Sequence, residues 1–199
     1  MASVKNASNI SIWKDAEVWF SDNEDAVVSE TGVFGDDWAQ VGILNGGAEI
    51  GQEFDGETTE VGSFGGKIVL TDRSFRKDTR TFAALEDNET TFGLMWPGSE
   101  YVDTGSTVLR VPHDAEGVVA FKTTDHRGRV LIDITRLPAK VRSSGAAKGD
   151  EGATATEFTV DVLPDNTDSL YDRLVIDGGV SAGEVPTVIR VGPGGGSGE

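Results

Sequence analysis

Any nucleophile-and-base arrangement working near neutral pH would draw on the two histidines. His113 follows Val111-Pro112, and His126 stands in the turn-like stretch His126-Arg127-Gly128. Neither has a second His nearby and the chain has no cysteine, so the spacing offers neither a triad nor a Cys/His metal set. Both read as exposed loop histidines. Carboxylates are abundant, with 34 Asp and Glu against 17 Lys and Arg. At that density acids neighbour one another throughout, and no pair sits in a frame diagnostic of glycoside hydrolysis. Asp36-Asp37 and Asp22-Asn23-Glu24-Asp25 suggest calcium, but the second lacks the glycine and distant glutamate of an EF-hand loop, so a solvated turn is the better reading. The glycines of Gly62-Ser63-Phe64-Gly65-Gly66-Lys67 lack the spacing of a phosphate-cradling loop and open no helix. What remains is one basic cluster, Arg73, Arg76, Lys77 and Arg80, with Phe75 interleaved. Against a net charge of −17, nucleic acid is a poor partner for it. Two readings stand: a patch that meets an acidic face of another subunit, and pairing within the chain. No cofactor, metal or catalytic residue is expected.

The elements around these residues are mostly strands. Phe158, Val160 and Val162 alternate with polar residues, as do Val130, Ile132 and Ile134, and Ala16, Val18 and Phe20. Period two marks strands with one face in a core. Further strands are expected at Trp38–Leu44, Ile68–Leu70, Thr79–Leu85, Thr107–Pro112, Val118–Thr124 and Tyr171–Asp177. Turns are expected at Asn45-Gly46-Gly47, Asp55-Gly56, Gly65-Gly66, His126-Arg127-Gly128 and Asp177-Gly178-Gly179. Val118–Leu137 reads as one hairpin, with Gly128 supplying a positive φ. From Asp87 to Trp96 the period changes, with Phe92, Met95 and Trp96 at i, i+3 and i+4. Asp87 or Asn88 serves as N-cap and Pro97-Gly98 as stop, which predicts a short helix over about 87–96. Ser143–Gly152 is small, polar and glycine-rich and is expected to be a mobile loop. The expected class is a β-sandwich or barrel with one short helix after about the fifth strand.

The aromatic residues point outward in this reading. Trp19 lies on the opposite face from Val18 and Phe20, while Trp38, Phe64 and Tyr101 fall at strand ends or in loops. Exposed aromatics and open strand edges are both relieved when identical subunits close on one another. Candidate contacts between subunits are therefore Trp19, Trp38, Phe64, Arg73, Arg76, Lys77 and Arg80. Rival readings are another virion protein, such as a head decoration protein or adhesin-like β-sandwich, or a carbohydrate-binding module using Trp19, Trp38 and Trp96.

The order of elements supplies a resemblance. Glu17-Val18-Trp19-Phe20 is followed by Trp38-Ala39-Gln40-Val41-Gly42-Ile43-Leu44-Asn45-Gly46-Gly47, then by the Glu/Thr-rich stretch from Glu57 to Gly66. Arg76-Lys77-Asp78-Thr79-Arg80-Thr81-Phe82 and the Leu85-Glu86-Asp87-Asn88-Glu89 junction complete the series. Over about Lys14 to Asp177 this resembles the major tail (tail tube) proteins of long non-contractile-tailed bacteriophages, in the form common among phages of actinobacteria. The resemblance implies a tail tube β domain over 14–178, a flexible N-terminal arm over 1–13, and a C-terminal arm with a glycine-rich tail over 179–199. Val185–Val191 could add one strand or arm. The resemblance also implies hexameric rings stacked into a tube and made in the host cytoplasm, with tape measure, tail terminator and tail tip proteins as further partners. DNA would pass through without specific binding, and no membrane would be involved. The long loop near Gly51 to Gly66 would touch the neighbouring ring. Asp133, Glu157 and Asp161, set opposite the core face, are the candidate channel-lining acids, although the same face could equally turn outward.

Overall fold

The computed structural model describes residues 11–46, 50–146, 154–177 and 188–190. Within them lie β1 (Trp13–Ser21), β2 (Val27–Ser29), β3 (Ala39–Gln40), β4 (Gly51–Gly62) and β5 (Ile68–Ala84), then the helix α1 (Glu89–Met95). After it come β6 (Ala115–Asp125), β7 (Val130–Thr135), β8 (Ala139–Ala146), β9 (Thr156–Val162), β10 (Tyr171–Ile176) and β11 (Val188–Arg190). The fold is mostly β with one short helix after the fifth strand.

Strand β6 organises the sheet. Its start, Ala115–Gly117, pairs with β8, whereas Ala120–Thr124 pairs with β7, and β1 runs along its other edge from Val118 to Asp125. At the switch the Val119 N–H has no strand partner on that side and donates to Thr135 Oγ1 at 3.0 Å. All these pairings are antiparallel, and the path runs β10-β7-β6-β8-β9-β5-β4. Because β6 belongs to both halves, the sheet folds over on itself. Val18, Val119 and Phe121 from one half meet Phe82, Val141, Phe158, Val160 and Val162 from the other, with Leu94 of α1 at the margin. A second core lies on the far side of β6 and β7, where Val118, Ala120, Ile132 and Ile134 are covered by Ala26, Val28 and Trp38. The β1-β6-β7-β10 layer is thus the middle of three. This is why Asp133 and Thr135 of β7 are buried along with their apolar neighbours, although alternation predicts them at the surface.

The β6–β7 hairpin turns where expected, with Gly128 at φ 82° and the Asp125 carboxylate accepting from the Arg127 and Arg129 N–H groups. Gly117 is required for a different reason. A Cβ there would collide with the Ser21 carbonyl and the Phe20 ring, so β1 and β6 approach this closely only because the side chain is missing. The helix is capped by Asn88, whose side chain accepts from the Thr91 N–H while Thr91 Oγ1 accepts from the Asn88 N–H. It buries Thr91 and Leu94; the expected stripe of Phe92, Met95 and Trp96 is only partly covered, which shifts the phase of the inward face.

Four further expectations are corrected. Asp55-Gly56 is a bulge inside β4, not a turn. Ser143–Ala146 is the end of β8, not loop; the rest of that stretch, including Lys148-Gly149-Asp150-Glu151, lies outside the described residues. Thr107–Pro112 forms no strand. Trp38–Leu44 contributes only the two residues of β3 and a bridge from Leu44 to Ala84. Near the end of the chain β11 pairs with β2, within the stretch where one strand or arm is expected; the glycine-rich tail is outside the described residues.

Candidate assembly surfaces

The segment from Gly51 to Gly66, expected to be a loop, is one strand and the turn of a long β-hairpin. β4 pairs with β5 from Gly51↔Thr81 out to Gly62↔Ile68, and the chain reverses through Ser63-Phe64-Gly65-Gly66, closed by Ser63 N–H to the Lys67 carbonyl at 2.7 Å. β9 supports β5 only from Asp78 to Ala84. Residues 68–77 therefore run on with β4 alone, and at ~3.3 Å per residue the arm projects about 30 Å beyond the sheet. Residues 52–76 are exposed on both faces. They include Phe54, Val61, Phe64, Ile68, Val69, Leu70 and Phe75, with the Phe54 and Phe75 rings 6.1 Å apart. A two-stranded ribbon with two wet faces is marginal alone in water, and apolar residues concentrated on it mark a contact surface. The outer edge of β4 carries Glu53, Asp55, Glu57 and Glu60 and no basic residue.

The basic cluster at the base of the arm divides. Arg76 pairs with Glu57 across the ribbon. Lys77 reaches Asp161 on β9 at 2.9 Å. Arg80 turns into the core, 7% exposed, with its guanidinium 4.9 Å from the centre of the Phe121 ring and 4.6 Å from that of Tyr171. Only Arg73 makes no ion pair among the described residues. For the other three, pairing within the chain is what the structure contains.

The expected channel acids also separate. Asp133 is not on a free polar face: it is buried, held by Arg173 at 2.6 Å and 2.8 Å and by Arg80 at 3.2 Å. Its network continues to Asp78, fully buried, whose Oδ2 accepts from Gln52 at 2.6 Å and from the Tyr171 hydroxyl at 2.7 Å. Burial, opposed by nearby Arg80 and reinforced by the hydrogen bond to Asp78, pushes the Tyr171 phenol well above its ordinary range. Asp161 and Glu157 do share the solvent face of β9. Asp161 accepts from Lys77, from Thr79 at 3.1 Å and from Arg142 at 2.6 Å. Burial alone would raise its carboxyl, but Lys77 and Arg142 outweigh that and hold it below the usual range. Glu157 is exposed and makes no ion pair among the described residues. With Thr159 on the same strand and Thr79, Thr81, Lys140 and Arg142 on its neighbours, this is a polar, largely charge-balanced face over β8, β9 and β5.

The tryptophans are less available than alternation predicts. Trp38 is 6% exposed and donates from its indole N–H to the Val27 carbonyl at 3.0 Å, so it is core. Trp19 is half-buried, stacked on Phe34 at 4.3 Å, with its N–H on Glu17. Tyr101 is half-buried against Phe92. Trp19, Trp38 and Trp96 consequently offer no row of open rings for a sugar. His113 and His126 are exposed in loops. No group of three His, Asp or Glu among the described residues could hold a metal ion, and no described helix is long and apolar enough to cross a membrane. Sequence reasoning missed the arm and the buried Asp78 with its partners Gln52 and Tyr171. A faint signal for the arm is Ile68–Ala84, which runs without glycine or proline for far longer than a typical strand.

No protein family's profile matches the chain, and no curated protein matches it. Among solved structures, one similar chain belongs to an extracellular contractile injection system, in the cryo-EM structure of the PVC sheath-tube complex in its extended state. It is 10% identical, with 81% of this chain and 88% of that chain covered and a TM-score of 0.39.

Proposed function

We propose that this protein is a structural subunit of a phage tail tube, which associates with itself into rings, six copies each, that stack around a channel for DNA. The observation that carries the reading is the arm: a ribbon about 30 Å long, apolar on residues such as Phe54, Phe64 and Phe75, with nothing among the described residues to cover it. A second copy is the partner that every copy has at hand, and open strand edges at β4 and β10 can be closed by company. The sequence resemblance to major tail proteins points the same way. In this reading the arm contacts the neighbouring ring through Phe64 and Arg73, while Trp38 and Arg80 serve the subunit's own core. The polar face of β8, β9 and β5, with Glu157 and the ion-paired Asp161, lines the channel. Tape measure, terminator and tip proteins would meet the ends of the tube.

Sedimentation velocity across a range of loading concentrations tests this. The full chain should grow into large species as concentration rises. A variant with residues 56–73 replaced by a two-residue turn should keep the strand spectrum of the fold and stay monomeric. A full chain that remains monomeric at the highest concentration would overturn the proposal.

A further inference from the structure

The segment between α1 and β6 has the composition of a strand and the environment of none. Thr107-Val108-Leu109-Arg110-Val111 is rich in β-branched and aliphatic residues, yet Val108 is 80% exposed, Val111 86% and Leu109 51%. Its side of the chain is pinned at two points, Arg110 N–H to Ser99 Oγ at 3.0 Å and Thr107 Oγ1 to the Glu100 carbonyl at 2.8 Å. Among the described residues the N–H groups of Val108, Leu109 and Val111 find no acceptor. Unpaired backbone of this kind, flanked by exposed aliphatic side chains, is a template for an added strand.

We infer that residues 107–113 receive the outer edge of β4 from a second copy of this chain. The charges choose that edge. Residues 107–113 carry Arg110 and His113 and no acid, whereas β4 carries four acids and no base. The apolar groups correspond as well, Val108, Leu109 and Val111 on one side and Phe54 and Val61 on the other. The N–H groups of Leu109 and Val111, which an extended chain turns to one edge, then meet the outward carbonyls of β4. The inference rests on the arm being an assembly element, and it names where the arm lands.

Since the chain has no cysteine, single replacements report contacts cleanly. Val108→Cys protein is mixed in turn with Glu53→Cys, Asp55→Cys, Glu57→Cys and Thr59→Cys protein, assembled and oxidised. A disulfide-linked dimer containing one of each is expected with at least one of the four, and it can arise only between copies. In parallel, Leu109→Pro removes one N–H from a segment that its own fold leaves unpaired. Its melting temperature should match that of the parent, while the concentration needed for assembly rises about tenfold, the effect of losing a hydrogen bond and its neighbour's alignment. If the parent assembles but Val108→Cys links only to itself, or to none of the β4 positions, this inference is wrong and the tube reading survives. If the parent never assembles, both fall.

Discussion

Asp133 shows how far a single carboxylate can stray from the role its spacing suggests. It alternates with Ile132 and Ile134 like a surface acid, yet it sits between Arg80 and Arg173 inside the sandwich. The alternation was legible; that a second layer covers the other face of β7 was not, because that layer comes from distant residues such as Arg80. Asp133→Ala leaves the buried Arg80 guanidinium with Asp78, at 3.5 Å, as its one carboxylate partner among the described residues. Urea unfolding is expected to show a loss of about 1.5–3 kcal/mol, the cost of removing a hydrogen bond to a charged group that keeps one ion-pair partner. Protonation should matter at both ends of the pH scale. The backbone N–H groups of Arg127 and Arg129 hold Asp125 low against the opposing effect of burial, and Asp161 is held low by Lys77 and Arg142. The Thr167 hydroxyl and the Ser169 N–H do the same for Asp165. A carboxyl lowered by folding adds stability above its unfolded value, ~3.9, and loses it as pH falls through the folded value. The melting temperature should thus be nearly flat from about pH 5 to 8 and drop below about pH 4. Tyr171 is shifted up, so its contribution is complete below the unfolded value, ~10, and is lost as pH rises beyond it. Melting curves of Tyr171→Phe should therefore lack the part of the alkaline decline that this phenol causes.

At the scale of elements, period two located β1, β7 and β9, and the cap expected at Asp87 or Asn88 located the start of α1. Each of these has one clearly apolar face and a turn or cap at its boundary. The arm escaped because both its faces are wet: residues such as Glu57, Thr58, Thr59 and Glu60 show no alternation to find, and Asp55-Gly56 imitates a turn. Thr107–Pro112 failed in the opposite sense, since its composition is that of a strand while no strand among the described residues pairs with it. The β1–β6 contact offers a sharp test of the fold. Gly117→Ala would force a methyl against the Ser21 carbonyl and the Phe20 ring, and backbone cannot swing aside as a side chain can. A loss of about 1–3 kcal/mol in unfolding free energy is expected, as for other overpacked sites. A neutral result would mean that β1 and β6 lie further apart than this contact requires.

For the whole molecule, the excess of acids over bases disfavours polyanions as ligands and is the broadest constraint on its partners. In the proposed ring of six, copies at −17 would carry roughly −100 charges before counterions, and at physiological salt that repulsion would be felt over about 8 Å. A hydrated face with Glu157 exposed and Asp161 already paired would let DNA slide past with little to grip, which is the behaviour a conduit needs. What no stretch of sequence could reveal is which edges meet in an assembly, since that depends on copies placed side by side. Negative-stain electron microscopy of the purified chain at high concentration and physiological salt addresses this directly. Rings or cylinders of even width with an open centre are the predicted result. A field of isolated small particles, unchanged as concentration rises, would contradict the account.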